Sequence, residues 1–288
     1  MLEHDQQVIR GGLARIRSVY SSLAPAERKV ADVVLENYKQ AIYMSVTQLA
    51  EASGVGESTV IRFCQSAGFR GYQELKLVLS RDLVDPAEDL SEGISPHDPL
   101  ESIVKKVGHA NTRCIDDTVK LLDMRALDTA VNWLIGARRI EFYGVGQSGV
   151  TALDAKYRFV RLGLICDALT DSHLQMMSAA TLDERDVALG FSFSGSTKDV
   201  VEAIAKAKER GARTICITAY PRSPLAETAD IKLIAAASET PLGGGSLRSK
   251  IAQLLVLDVL YITAALRLGT KARVYNELAA EAVLHKLY

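Results

Sequence analysis

Ser192, Ser194, Ser196 and Thr197 crowd around Gly195 within six residues. The apolar run 186–191 leads into them and a helix-like stretch, 198–210, follows. A strand that ends in small hydroxyls and then enters a helix gathers O–H groups, backbone N–H groups and a positive helix end at one point. That combination holds phosphate or another small anion. A second turn of this kind, Gly144-Val145-Gly146-Gln147-Ser148-Gly149, follows 139–143. Two anion-holding turns in one region point to a phosphorylated metabolite.

Elements must position these turns. From Arg139 onward the spacing predicts strands over 140–145, 164–169, 187–193, 214–218 and 231–235. Helices are predicted over 150–161, 172–180, 198–210 and 247–268, and upstream over 100–122 and 125–135. Strand–helix alternation implies a parallel sheet covered on both faces. Gly163 and Gly211 stand where helix C-terminal caps are expected. Before residue 84 the pattern is helical throughout, as in Val30, Val33 and Val34 or Leu75 and Leu79. Between the two regions, 85–99 carries three prolines and acidic residues without periodicity, the mark of a linker. The division is therefore 1–82, a linker over 83–99, and 100–288.

The chain has 288 residues, a formal net charge of −1, 48% hydrophobic and 6% aromatic residues. That balance is globular, and so few aromatics exclude broad stacking platforms for single-stranded nucleic acid. Cys64, Cys114, Cys166 and Cys216 form no CxxC pair and are expected as buried free thiols, which suits a reducing cytoplasm. No metal or cofactor is expected. No signal peptide is read, and no run approaches the about 20 uninterrupted apolar residues of a membrane span.

Residues 45–65 have helix-turn-helix form. Leu49 and Ala50 belong on the buried face of a first helix, Gly54 at its left-handed end, and Val55 as the apolar plug. Gly56 opens a second helix with Val60, Ile61 and Cys64 inward. Glu57, Ser58, Thr59, Arg62 and Gln65 then face outward. Short hydroxyls at a helix start and an arginine one turn on suit phosphate and base-edge contacts. Arg62, Arg70, Lys76 and Arg81 form a basic stripe, with Glu74 as counterweight. A stripe of this size supports a dimeric DNA binder better than a monomeric one.

The run 23–35, this helix-turn-helix and the segment 62–76, which contains Phe69-Arg70-Gly71-Tyr72-Gln73-Glu74-Leu75-Lys76, resemble RpiR-type bacterial transcription regulators. The resemblance spans about residues 13–268 and is most specific where that segment is paired with the downstream serine motif. Within the family the chain is most similar to hexose-metabolism repressors that sense 2-keto-3-deoxy-6-phosphogluconate. The fold implied is an N-terminal all-α helix-turn-helix domain joined to an α/β SIS (sugar isomerase) domain, a three-layer αβα unit around a five-stranded parallel sheet. The resemblance implies a phosphosugar site at the two turns, with Gly144 and Gly146 admitting the backbone to the ligand. Ser148, Ser192, Ser194, Ser196 and Thr197 would supply hydroxyls. Glu239 and Arg248, which flank Gly243-Gly244-Gly245, would complete the ligand set. Asp171-Ser172-His173 and Lys156 are weaker candidates. The DNA-binding set is Ser58, Thr59, Arg62, Gln65, Arg70 and Lys76.

Two classes of function remain. A phosphosugar isomerase needs a base against the substrate C–H, and only Glu239 and His173 offer one. A sensor needs no base, and it gives the N-terminal domain a purpose. The expectation is a non-enzymatic cytoplasmic regulator, a repressor of carbohydrate metabolism. Its partners are double-stranded operator DNA, a phosphorylated sugar effector and further copies of itself, as a dimer or tetramer. The loop 239–246 is expected to move, with Leu254, Leu255, Val259 and Ile262 transmitting the shift.

Overall fold

The structure, a computed structural model, describes residues 11–42, 44–83, 94–95, 97–236 and 247–286. The chain forms two compact units, divided between Lys106 and Val107. Among its described residues the first holds α1 (Gly12–Val19), α2 (Pro25–Ala41), α3 (Val46–Ala52), α4 (Glu57–Ser66) and α5 (Tyr72–Leu83), a 3-10 turn at Tyr20–Ser22, and the start of a further helix at Leu100. Pro25 opens α2, where its missing N–H costs nothing, and Glu27 reaches back to accept from the Ala24 N–H at 3.3 Å. Ile16, Val30, Val34, Leu49, Val60, Phe63, Leu75 and Leu79 form one core.

After α6 (Leu100–Leu121) and α7 (Met124–Gly136), strands and helices alternate. They are β1 (Ile140–Tyr143), α8 (Gln147–Val160), β2 (Cys166–Leu169), α9 (Ser172–Ala179), β3 (Val187–Phe191), α10 (Lys198–Glu209), β4 (Arg213–Thr218), α11 (Pro224–Thr228) and β5 (Ile231–Ile234). The chain continues into α12 (Leu247–Leu268) and α13 (Thr270–Leu284). Among the described residues the five strands are all parallel, in the order β2-β1-β3-β4-β5.

Alternation along the strands separates two cores. Ile140, Phe142, Val187, Leu189, Phe191, Ile215 and Ile217 pack with α7, α8 and α12. Tyr143, Ala188 and Cys216 pack with α9, α10 and α11 on the other face. Gly190 lets α10 press close, since a Cβ there would lie 2.9 Å from Ile204 and 3.1 Å from Val200.

The expected strands stop one or two residues earlier at their carboxyl ends, except at β2 and β4. There the chain leaves the sheet into the turns. Two helices, α11 and α13, lie outside the expectation. All four cysteines are free; Cys64, Cys114 and Cys216 are buried and Cys166 is partly exposed. By length and composition Lys250–Leu268 could cross a membrane, although Gln253, Asp258 and Arg267 interrupt its apolar run. In this fold it packs Ala252, Val256, Leu257, Leu260 and Ala264 into the sheet core. Those residues, and not the expected Leu254, Leu255, Val259 and Ile262, are its fully buried seam; Ile262 is 54% exposed.

Candidate functional site

In the helical unit, Ser45 caps α3 by accepting from the Gln48 N–H at 3.1 Å, and Gln48 Oε1 accepts from the Ser45 N–H at 2.8 Å. Gly54 takes φ +62°, and the Val55 N–H donates to Ala50 O at 3.0 Å, which turns the chain toward α4. Thr47 Oγ1 donates to Glu57 Oε1 at 2.5 Å and ties α3 to the first turn of α4. No side chain caps α4 at Gly56, so its first N–H groups stay open to an anion.

Glu57, Ser58, Ile61, Arg62 and Gln65 are exposed on α4. Thr59 is not: it is buried, and the Arg62 guanidinium donates to its hydroxyl at 3.3 Å. Ile61 in turn is outward, against expectation. Phe63 explains both reversals. It is fully buried, and Thr59 and Ala67 lie four residues to either side of it, so the inner face is Thr59, Val60, Phe63, Cys64 and Ala67.

Lys76 also departs from its expected role. Its ammonium donates to Met44 O at 3.0 Å and lies 5.7 Å from the Tyr72 ring centre, and burial pushes its pKa down to about 8. The Tyr72 hydroxyl donates to the same carbonyl at 2.9 Å. Lys76 therefore fixes the entry to α3 from within, because it shares an inward face with Tyr72 and Leu79 at helical spacing. Arg70 is exposed but paired with Glu74 at 3.1 Å. Side-chain placement of Arg81 lies outside the described residues.

In the α/β unit, the two turns leave β1 and β3, which are neighbours with Tyr143 opposite Gly190. Adjacent strands lie about 4.8 Å apart. The order 2-1-3-4-5 makes the β1–β3 boundary the switch point where an open sheet binds ligands beyond its strand ends. In the first turn Gly146 has φ +59° and precedes α8 with no side-chain cap. Gly144 has no room for a side chain, since a Cβ would fall 2.5 Å from Ser148 O. Gln175, completely buried, donates to Gly144 O at 3.1 Å and Leu169 O at 2.8 Å and holds the turn from α9. Ser148 is half-buried on the first turn of α8.

In the second turn Ser192 and Thr197 exchange a hydroxyl hydrogen bond at 2.9 Å. Ser194 Oγ accepts from the Ser196 N–H at 3.2 Å. Thr197 stands at the N-cap of α10, yet its side chain caps no N–H of the helix. By contrast Asp123, Asp171 and Ser223 cap α7, α9 and α11. Gly195, at φ +61°, is enclosed: a Cβ would meet Ser223 Oγ at 1.9 Å and Thr218 Oγ1 at 2.7 Å. The Thr218 hydroxyl donates to Phe193 O at 3.1 Å, and the Leu225 N–H to Gly195 O at 2.9 Å. Sequence reasoning missed Gln175, Thr218 and Ser223 as supports. The Ser223-Pro224 pair, a helix-start signal, was a cue to Ser223 alone.

Gly146, Ser148, Ser192, Ser194, Ser196 and Thr197 thus lie on two turns at the ends of adjacent strands. Glu239 lies outside the described residues, as does the whole segment 237–246; Arg248 lies on α12, and its side chain is outside the described set. His173 is exposed on α9. Lys156 pairs with Asp167 on the edge strand at 2.6 Å, and is committed there rather than to a sugar.

Two family models match: the helix-turn-helix domain of the rpiR family over residues 10–86, and the SIS domain over 133–263. An uncharacterised HTH-type transcriptional regulator of Caldanaerobacter subterraneus is 43% identical over 253 residues, 88% of this chain and 90% of the relative. The HTH-type transcriptional regulator HexR of Pseudomonas aeruginosa is 38% identical over 257 residues, 89% and 90% of the two chains. The solved structure of Vibrio vulnificus NanR complexed with ManNAc-6P superposes with a TM-score of 0.83 at 30% identity, covering 96% of this chain and all of that one.

Two outcomes follow from the geometry. Unfolded lysine keeps its proton to about pH 10.4, whereas folded Lys76 releases it near pH 8. Between those values the unfolded chain binds more protons, so the Lys76 contribution to stability rises with pH. Burial raises the Cys64 thiol to about 12 and opposes the trend above pH 9, so the quantity to measure is a difference. Wild type should gain stability over Lys76→Met from pH 7.5 to 9.5, on the order of 1–2 kcal/mol by urea denaturation; a constant difference refutes it. Gly195→Ala should destabilise the α/β unit in urea denaturation, and Ser223→Gly should offset part of that loss by removing the closest contact.

Proposed function

Because this chain belongs to the rpiR family of helix-turn-helix transcriptional regulators that carry a SIS domain, we propose that it represses carbohydrate-metabolism genes under control of a phosphorylated sugar or sugar acid. The reading head is 1–82, the linker 83–99 and the sensor 100–288, and the protein works in the cytoplasm. One observation carries the sensor: two helix starts without side-chain caps, α8 and α10, open beside hydroxyls at the ends of adjacent strands. That arrangement can hold a phosphate with N–H groups and place sugar hydroxyls beside Ser148, Ser192, Ser194, Ser196 and Thr197. Gly146 admits the ligand, and Glu239 and Arg248 complete the proposed ligand set. The ManNAc-6P named for NanR supports an aminosugar phosphate, and the resemblance to hexose-metabolism repressors keeps 2-keto-3-deoxy-6-phosphogluconate beside it.

The output is Ser58, Arg62 and Gln65 on α4, joined by Ile61, whose apolar side chain suits a thymine methyl group. Arg70 adds a phosphate contact at the cost of its bond to Glu74. Two copies are needed, since few contacts per head give little affinity. On α8, Val150, Leu153, Tyr157 and Val160 are exposed at three- and four-residue spacing, a helix-pairing seam that a second copy would cover. The chain senses rather than isomerises. The turns offer donors for binding, and the head supplies an output that catalysis would not need.

Binding to the duplex upstream of its own gene, with and without the two sugar phosphates, tests this reading. Arg62→Ala should lose the duplex in all conditions. Ser148→Ala with Ser194→Ala should keep the duplex but ignore the ligand. Rapid interconversion of keto and aldo sugar phosphates by a chain indifferent to every duplex would overturn the proposal. In sedimentation, Leu153→Glu with Tyr157→Glu should give monomers that bind ligand yet hold the duplex at least about tenfold more weakly; an unchanged oligomer removes the seam.

A further inference from the structure

Side by side on one face of the sheet, α8 and α12 join through small apolar residues, among them Ala152, Ala155, Ala252 and Val256. Within this contact lies one buried polar pair, apart from the part-exposed Arg158–Asp258 ion pair that also joins the two helices. Thr151 is completely buried, and its hydroxyl lies 3.1 Å from Gln253 Oε1 on α12. The same hydroxyl reaches Gln147 O, one turn earlier, at 3.5 Å. A helical threonine ordinarily bonds the carbonyl four residues back. Here that bond is stretched to its limit, and the shorter one crosses to the neighbouring helix. Gln253 is 3% exposed, and its Nε2 has no partner among the described residues.

A buried carboxamide with an idle donor costs stability that an apolar side chain of the same shape would not. The placement gives it a use. Gln147 and Ser148 form the first turn of α8, within the anion-holding turn, and Thr151 stands directly beneath them. Gln253 stands about two turns into α12, the helix after residues 237–246.

We propose that Thr151 and Gln253 form a hydrogen-bonded relay that couples effector occupancy of the Gly144–Ser148 turn to the position of α12. The inference rests on the sensor reading above. A ligand drawing on the first N–H groups of α8 shifts Gln147, and with it the share of the Thr151 hydroxyl held by Gln147 O. The Gln253 carboxamide then has two arrangements, one bonded to Thr151 as seen and one released or turned to use its idle N–H. A bistable element of this kind lets a ligand favour one state over the other. Gln253 is thus a positioning residue, with no contact to the ligand required.

The test separates coupling from binding. Full-length protein is titrated with ManNAc-6P and with 2-keto-3-deoxy-6-phosphogluconate, and its affinity for the duplex upstream of its own gene is measured with and without each. Thr151→Val and Gln253→Met should keep ligand affinity and ligand-free duplex affinity within about threefold while the ligand-induced change in duplex affinity falls at least about fivefold. Thr151→Ser, which retains the hydroxyl, should restore the change, and the double variant should be no worse than either single one. Should Gln253→Met fail to fold, Thr151→Val and its serine rescue carry the test from the other end of the relay. Full coupling in Thr151→Val, or loss of ligand binding in step with coupling, overturns the relay and leaves the sensor standing. A wild-type chain that binds the duplex but ignores both sugar phosphates overturns sensor and relay together.

Discussion

Reversal of strand order between β1 and β3 is the constraint on which the α/β unit depends. A parallel sheet buried on both faces has crossovers on both sides, and at one boundary the chain must leave in opposite directions. Here the connections from β1 and β3 part at that boundary, α8 to one face and α10 to the other. Their first turns are therefore not covered by each other. The space between strand ends is a product of topology, and the residues there need only be small and polar enough to leave it open.

Rigidity in the two turns comes from behind them. Gln175 holds the first from α9, and Thr218 at the end of β4, with Ser223 and Leu225 after it, holds the second. In the helical unit, Met44 O takes donors from both Tyr72 and Lys76, so α5 fixes the start of α3 and through it the pitch of α4. Both surfaces are thus set by buried polar contacts to backbone carbonyls, which specify one geometry more sharply than apolar packing alone.

Much of this was legible in the chain itself. Alternating apolar runs gave the strands, and glycine with clustered hydroxyls gave the turns, because both depend on local backbone preferences. The start of α9 and both ends of α12 agree with the expectation. What escaped depends on three-dimensional neighbours. Thr59 and Ile61 exchanged faces because Phe63, left off the inner face, sets the rotation of α4. Lys76 read as a surface cation because charge in a sequence says nothing of a carbonyl 32 residues away. Of the residues of α13 only Ala272 is fully buried, so no apolar stripe announced that helix.

The inward turn of Lys76 bears on how such a head meets nucleic acid. Each phosphate neutralised by a protein cation releases condensed counterions, and the salt dependence of affinity grows by about 0.9 in log–log slope per contact. With Lys76 committed to a carbonyl and Arg70 shared with Glu74, the head brings fewer mobile cations than its sequence suggests. A reading head of the proposed kind would grip arbitrary duplex correspondingly less, with a shallower salt dependence. Discrimination among sites would then rest on groove-edge contacts more than on a polyelectrolyte background.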